Sequence, residues 1–239
     1  MKYGGTVVFS ERDEFGYVEI IENSSVRKMH FGTPIEQSAM YRNAPMTLRF
    51  EYQQVIVNLL SDLDAIQPKG KPYRILMLGL GGGSMAHHLF HLLSDMQMTI
   101  VELRQLVIDC AYRFFHLPDD PAIETTQADA IEYCQTLADD CLQQDCHQYD
   151  CIIIDLFNGR GIPPELADHD FHESLSQCVR RGGHLIFNLW NQYSPQQKLE
   201  PTKETAEILA FWRAQEGFSM THHLIKSSTN LILKVCRET

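Results

Sequence analysis

A glycine-rich loop and three carboxylates stand where the sequence predicts that buried strands end. The apolar run 75–78 is too short for a helix and is bounded by glycine, which indicates a strand. The chain then turns, and a helical pattern and a second strand ending on Glu102 follow. The turn contains four glycines, Gly79, Gly81, Gly82 and Gly83. Because glycine has no side chain, the backbone of this turn can approach a ligand closely.

Strand, glycine loop, helix, strand and acid form the pattern of a nucleoside-binding unit. In such a unit the loop amides face the ligand, and the carboxylate accepts hydrogen bonds from the ribose hydroxyls. Glu102 follows Gly83 by 19 positions, close to the expected spacing of about 20. The alternative is an ordinary surface acid at a strand end. The pattern therefore predicts a nucleotide or nucleoside site, although it does not say which ligand binds.

Two further aspartates follow predicted strands. Asp129 opens a predicted helix, where it suits either a hydrogen bond to an adenine amino group or a plain helix N-cap. Asp155 ends the apolar run 151–154, so a buried strand delivers a carboxylate into a cleft, a costly position unless the charge is paired or useful. Because ligands bind at the carboxyl ends of strands in an open parallel sheet, we expect Glu102, Asp129 and Asp155 to line one cleft.

No metal site is expected. His87 and His91 form an i, i+4 pair on the first predicted helix, but no third ligand and no intervening glutamate accompany them. Cys141 and Cys146, followed by His147, lack a fourth ligand at usable spacing and are predicted to form a solvated helix end and loop.

The composition narrows the classes of protein. The 239 residues carry a net charge of −11, which argues against nucleic-acid binding, since phosphate neutralisation needs clustered Lys and Arg. Hydrophobic content of 44% and charged content of 21% are those of a soluble globular protein. No apolar run has membrane-spanning length, and no signal-peptide pattern is present. Seven cysteines without metal-type pairs predict reduced thiols, so we expect a cytoplasmic protein without a membrane partner.

Two domains are predicted. Residues 1–50 contain short β-type segments separated by turn-forming residues, which indicate a small antiparallel domain of hairpins, with 33–45 as a loop. From residue 51 to 239 strands alternate with helices, which favours a parallel sheet with helices on both faces. The last two β segments are too close for a crossover helix and should pair antiparallel, a feature of methyltransferase-type Rossmann domains.

Smaller elements are predicted as well. Helical spacing indicates a helix over 47–60, and a polar linker over 67–72 leads into the first core strand. Gly182 and Gly183 are predicted to form a turn between a helix and a strand.

The motifs LGLGGGS, VELR, ADA, YDCIIIDLFNGRGIPP and GGHLIFNLW, in this order, resemble the spermidine/spermine synthase family of aminopropyltransferases. The resemblance extends over about 26–190, and EYQQVI at 51–56 is similar to the family's tyrosine-bearing helix. It is strongest to the branch with GLGGGS and IPP. It implies a methyltransferase-like Rossmann domain behind a small β domain, a co-substrate that is S-adenosylmethionine or its decarboxylated form, a small-molecule amine acceptor and a possible homodimer.

The resemblance also implies roles for individual residues. Asp155 falls on the first aspartate of the family's DxxDP motif, the general base, and we expect Tyr52 and Asn158 to orient the acceptor amine. The nucleoside would be held by Glu102 with Leu103 beside it at the ribose, Asp129 and Ala130 at the adenine, and Gln37 with the glycine loop (Gly79, Gly81, Gly82, Gly83) at the sulfonium tail.

Three family carboxylates are missing. The aspartate that holds the aminopropyl amine is replaced by Gly82, the second aspartate of DxxDP by Asn158, and the acid after the helix tyrosine by Gln54. Ammonium-bearing substrates are attracted by such carboxylates. Arg160 adds a cation after the expected base, which either pairs a carboxylate-bearing acceptor or points to solvent.

Three hypotheses follow. The first is an aminopropyltransferase of the spermidine synthase type. The second is an S-adenosylmethionine-dependent methyltransferase on the same scaffold, which the loss of the acid at Gly82 favours. The third is a catalytically silent protein that binds a nucleoside or a partner.

Overall fold

The computed structural model describes residues 2–64, 71–143, 148–158 and 161–239. Most of the predicted linker 67–72 lies outside these ranges, as do Cys146, His147 and Arg160.

The chain begins with a four-stranded antiparallel sheet in sequence order, each strand paired with the next by a hairpin. The turns follow from the residues that form them. Asp13 pairs with Gly16 around a two-residue turn, and the Asn23 side chain accepts hydrogen bonds from the next turn's backbone amides. The strands are β1 (Thr6–Asp13), β2 (Gly16–Glu22), β3 (Val26–His30) and β4 (Glu36–Tyr41).

The rest of the chain alternates helices and strands around a second sheet. Its helices are α1 (Glu51–Asp64), α2 (Ser84–Leu92), α3 (Gln105–Phe115), α4 (Ala130–Gln143), α5 (His169–Cys178) and α6 (Lys203–Ala214), with a short 3-10 helix at Pro164–Ala167. Its strands are β5 (Tyr73–Leu78), β6 (Met96–Glu102), β7 (Ile123–Gln127), β8 (Tyr149–Ile154), β9 (Val179–Tyr193), β10 (Leu199–Pro201), β11 (Phe218–Leu224) and β12 (Asn230–Arg237).

The second sheet has the strand order β11-β12-β9-β8-β5-β6-β7, and β10 adds to β9. The five strands from β9 to β7 run parallel, while β12 and β11 form the antiparallel C-terminal hairpin. The central strands β5 and β8 are almost fully buried, as expected for a parallel sheet covered on both faces. The methyltransferase-type Rossmann fold behind an antiparallel β sheet is therefore confirmed.

The helices begin and end where local chemistry permits. The Thr202 hydroxyl accepts a hydrogen bond from the Thr205 amide at 3.3 Å and caps α6. Helix α3 ends at Phe115, and the capping residue His116 that follows has the left-handed conformation. The helix buries an apolar stripe that includes Val107 and Phe115. This stripe packs against Val18 and other residues of the N-terminal sheet, so the two sheets share a core cluster.

Three local predictions were wrong. The predicted loop 33–45 contains β4, because its polar side chains face a cavity and hide the strand alternation. The predicted helix 47–60 begins at Glu51 instead, since Leu48 forms a β-bridge with Met40. Gly182 and Gly183 lie inside β9, where the strand bulges against β8, and not in a turn between elements. The domain boundary after residue 50 stays a prediction.

The cysteines are of two kinds. Cys110, Cys134, Cys151 and Cys178 are buried free thiols, and Cys236 is a half-buried one. Cys141 is disulfide-bonded, which differs from the expectation of reduced thiols. Within the described ranges no helix is long and apolar enough to cross a membrane.

Candidate active site

A cavity of about 870 Å³ opens between the N-terminal sheet and the carboxyl ends of the parallel strands. Its walls come from β4, the first turn of α1, the loops after β5, β6, β7 and β8, and the ends of β9 and β12. Among the residues that the structure describes, the cavity is lined by more carboxylates than guanidinium groups: Glu36, Glu51, Glu102, Asp129, Asp155 and Glu165 against Arg49 and Arg104.

The glycine loop brings two strand ends together. Gly79 has φ +89°, and a Cβ at this position would lie 2.4 Å from the carbonyl oxygen of Asp155. No residue with a side chain fits there without moving the backbone of β8 away from β5. Gly79 therefore allows the loop and Asp155 to share one edge of the sheet.

The next glycines face the N-terminal sheet. Gly81, at φ +55°, lines the cavity, and its Cβ position lies 2.9 Å from the Ser38 hydroxyl. The same hydroxyl accepts a hydrogen bond from the Gly82 amide at 2.7 Å. Gly82 and Gly83 themselves do not line the cavity. A Cβ on Gly82 would meet the ring of Phe115 at 2.8 Å, so the space of a side chain is already filled.

Glu102 is held by backbone amides. Its Oε2 accepts from the Leu80 N–H at 3.0 Å, and its Oε1 accepts from the Arg104 N–H at 3.1 Å. Burial raises the pKa of Glu102, although these two hydrogen bonds oppose that shift. We name the wall formed by 79–81, 102–104 and 129–131 the loop side of the cavity.

Asp129 serves as a helix cap and also lines the cavity. Its Oδ1 accepts hydrogen bonds from the amides of Ile131 at 2.8 Å and Glu132 at 3.2 Å, at the start of α4. Its Oδ2 makes no hydrogen bond to any residue that the structure describes. The two alternatives for this residue are therefore compatible, because one oxygen caps the helix and the other stays available to a ligand.

Asp155 is held by side chains. Its Oδ2 accepts from the Tyr52 hydroxyl at 3.3 Å, and its Oδ1 accepts from the Asn188 side-chain amide at 2.8 Å. Burial raises the pKa of Asp155, and the two hydrogen bonds only partly counter this. Burial, and then the Asp155 charge, raise the pKa of Tyr52 well above its ordinary value, so Tyr52 remains a hydrogen-bond donor at neutral pH.

The side-chain amide of Asn230 holds that of Asn188 in its orientation. Asn230 donates from Nδ2 to Oδ1 of Asn188 at 2.8 Å, which leaves the Nδ2 of Asn188 aimed at Asp155. The Ser228 hydroxyl donates to the Oδ1 of Asn230 at 2.5 Å. Both asparagines are buried and line the cavity. We name the wall formed by Tyr52, Asp155, Asn188 and Asn230 the Asp155 side of the cavity.

A sequence profile of the spermine/spermidine synthase domain matches residues 49–207, which is more than half of the chain. The chain belongs to the spermine/spermidine synthase family.

Individual relatives agree. The polyamine aminopropyltransferase of Neisseria meningitidis is 29% identical over 178 residues, which are 74% of this chain and 63% of that protein. A probable spermidine synthase from Corynebacterium glutamicum superposes with a TM-score of 0.76 at 20% identity, covering 97% of this chain and 80% of its own. Human methyltransferase-like protein 13 in complex with SAH gives a TM-score of 0.66 at 20% identity, covering 80% of this chain and 83% of its own. The chain thus spans less than two thirds of the curated relative's length.

Two of the three positions that lack the family's acids lie outside the cavity. Gln54 donates to the Leu48 carbonyl at 2.9 Å and lines a separate small hollow beside Met46 and His88. Gly82 packs against Phe115. Only Asn158 lines the cavity, and its Oδ1 accepts from the Gly161 amide at 3.1 Å.

The structure gathers most of the predicted site residues in one place. Their roles stay predictions, but ten of them line the cavity: Gln37, Tyr52, Gly79, Gly81, Glu102, Leu103, Asp129, Ala130, Asp155 and Asn158.

Sequence reasoning missed the residues that hold these groups. Asn188 was the detectable one, because it interrupts the apolar run of GGHLIFNLW, and a polar residue in a buried strand needs a partner. Asn230 and Ser38 gave no comparable signal, since their partners are far away in sequence.

Proposed function

We propose that this chain transfers an aminopropyl group from decarboxylated S-adenosylmethionine to the nitrogen of an amine acceptor. The amine lone pair attacks the aminopropyl carbon bonded to the sulfonium sulfur. The carbon–sulfur bond breaks with its electron pair going to sulfur, so methylthioadenosine leaves. The proton lost by the amine goes to the Asp155 carboxylate.

The placement of Asp155 supports this assignment most. Its carboxylate lies in the same cavity as Glu102, and Tyr52 and Asn188 hold its two oxygens. Because burial raises the pKa of Asp155, it is a stronger base than an exposed aspartate. Tyr52, on the same wall, and Asn158, which also lines the cavity, are the residues that we assign to the acceptor.

In this proposal the nucleoside of the aminopropyl donor binds at the loop side of the cavity. Glu102 is aimed by two amides and takes the ribose hydroxyls in this proposal, while the Oδ2 of Asp129, beside Ala130, takes the adenine amino group. Gln37, which lies on β4 and lines the cavity, is the residue that we assign to the sulfonium tail of the donor. The described residues show no group of three metal-binding side chains, and the proposed chemistry uses none.

The charge of the cavity favours the decarboxylated donor. Six carboxylates and two guanidinium groups line it among the described residues, so a cation is attracted. Decarboxylated S-adenosylmethionine carries one positive charge more than the intact form. The acceptor amine gains from the same field.

Methyl transfer from intact S-adenosylmethionine is the second candidate. One observation favours it, namely that Gly82 carries no carboxylate and that the ring of Phe115 fills the space where one would start. A methionine carboxylate would meet no repulsion from this position.

A cytoplasmic location and a homodimer also belong to the proposal. The composition supports the location, and the family resemblance supports the homodimer.

Calorimetric titration with three ligands tests the proposal. We expect decarboxylated S-adenosylmethionine to bind more tightly than the intact form, and methylthioadenosine to bind as the product. Preference for the intact form would replace aminopropyl transfer by methylation. If none of the three ligands binds, the hypothesis of a catalytically silent protein replaces both transferase hypotheses.

A further inference from the structure

Three large apolar side chains that are exposed to solvent also line the cavity. Phe15, Ile35 and Leu103 are 51%, 44% and 40% exposed, and all three line it. The other large apolar side chains exposed in the described ranges line none of it. Exposed apolar groups in the lining of a cavity offer surface that a bound ligand can cover.

The backbone of Phe15 is fixed by the turn that carries it. This residue belongs to the two-residue turn between β1 and β2, and its N–H donates to Oδ1 of Asp13 at 2.9 Å. The same carboxylate holds the guanidinium of Arg104 through two hydrogen bonds of 2.8 and 2.9 Å. Arg104 also donates to the Gly16 carbonyl at 3.0 Å. Both ends of the turn are therefore tied to one buried side chain.

Arg104 joins this turn to the loop side of the cavity. Its backbone N–H donates to Glu102, and its guanidinium lies 4.6 Å from the ring centre of Phe31 and 6.0 Å from that of Phe15. Arg104 is only 6% exposed, so the connection is shielded from solvent. The turn that carries Phe15 is thus linked through Arg104 to Glu102, the carboxylate that we assign to the ribose.

We propose that Phe15 and Leu103 form an apolar platform for the purine base of the nucleoside, so that the first hairpin completes the nucleoside site. An exposed aromatic face is a surface on which a base stacks, and Leu103 follows Glu102 directly in the chain. The inference rests on the nucleoside donor of the proposed function. It adds a binding residue from a segment outside the matched family domain.

Two aromatic residues of the same hairpin provide a matched pair for the test. Phe15 and Tyr17 are about equally exposed, at 51% and 49%, but only Phe15 lines the cavity. The experiment is calorimetric titration of Phe15→Ala, Tyr17→Ala and wild type with methylthioadenosine. We expect Phe15→Ala to bind at least about fivefold more weakly and Tyr17→Ala to bind like wild type.

Phe15→Trp separates stacking from a loss of packing. An indole keeps the aromatic face, so this variant should restore binding to within about twofold of wild type. The melting temperatures without ligand should agree among the variants, since both side chains are half exposed. Unchanged binding by Phe15→Ala, or an equal loss in Tyr17→Ala, would overturn the inference while the proposed function stands. If wild type binds neither methylthioadenosine nor a sulfonium donor, the proposed function itself fails.

Discussion

The two sides of the cavity each hold a buried carboxylate, but they hold it by different means. On the loop side, both hydrogen bonds to Glu102 come from backbone amides, those of Leu80 and Arg104. On the Asp155 side, both come from side chains, those of Tyr52 and Asn188. Burial raises the pKa of both acids, so the opposing hydrogen bonds decide how far each one shifts.

The difference has a consequence for how each side can vary. Backbone donors are present whatever the side chains are, so the loop side depends on the glycines that shape the turn. Side-chain donors arrive from α1, β9 and β12, so the Asp155 side depends on the identity of individual side chains. The loop side is therefore suited to a constant ligand, the nucleoside, and the Asp155 side to a chemistry that single substitutions can tune.

The largest expected effect belongs to Asp155→Asn. The amide keeps the shape but cannot accept the proton, so the rate of transfer should fall about 10³-fold. Methylthioadenosine should bind with unchanged affinity, because the contacts that we assign to it are made by the loop side and Phe15. Steady-state rates and calorimetry measure the two quantities. A loss of nucleoside affinity equal to the loss of rate would show that the two sides are not separate.

We expect Asp155→Asn to lower the rate of transfer without lowering the stability of the fold. Because the folded pKa of Asp155 is raised, the ionised carboxylate destabilises the fold above that pKa, and this penalty disappears as the pH falls below the unfolded value. At neutral pH the amide removes the penalty. We expect a melting temperature equal to or above that of wild type.

Glu102→Gln should give the second largest effect and the reverse pattern. The amide has one accepting oxygen for two backbone donors and no charge for the ribose hydroxyls, so nucleoside affinity should weaken roughly 10- to 100-fold. The pH dependence of the rate at saturating donor should stay that of wild type, since Asp155 is untouched. A shift of that profile would contradict the separation of the two sides.

Asn188→Leu should change the pH profile more than the affinity. The Asn188 amide favours the charged form of Asp155, so its removal raises the pKa of Asp155 further. The activity limb that requires ionised Asp155 then moves to higher pH, so the rate should fall most on the acidic side of the profile, where less of Asp155 is ionised. Nucleoside affinity serves as the control. An unchanged limb would mean that Asn188 only fills space.

The same contrast explains what the sequence could predict. The strand, loop, helix and acid of the loop side are adjacent in the chain, so local spacing was enough to place Glu102 and to expect Gly79 at a close approach. The alternation of helices and strands likewise predicted the parallel sheet and its C-terminal hairpin.

The rest depends on distant residues. Tyr52 and Asn230 reach Asp155, directly or through Asn188, from elements more than 70 residues away, which no local pattern reports. Strand β4 was missed because Gln37 and Ser38 face the cavity and the glycine loop, not solvent. Gln54 lies two residues after Tyr52 on α1, about half a helical turn, so its side chain is on the opposite face of the helix from the cavity. Aligning the motif gives the position of a residue in the chain but not the face of the helix on which its side chain lies.

The smallest expected effects come from restoring carboxylates at positions where the family carries them. One of the two substitutions lies inside the cavity and the other lies outside it. Asn158→Asp adds a carboxylate to the cavity wall, so the KM for a diamine acceptor should fall about threefold, the range of a partly screened ion pair. Gln54→Glu adds the same charge beside the separate hollow lined by Met46 and His88, and we expect a change below about twofold. Raising the salt concentration should remove the first effect, since it is electrostatic. An equal gain from Gln54→Glu would mean that the overall negative charge of the protein, and not the position of a carboxylate in the cavity, selects the amine.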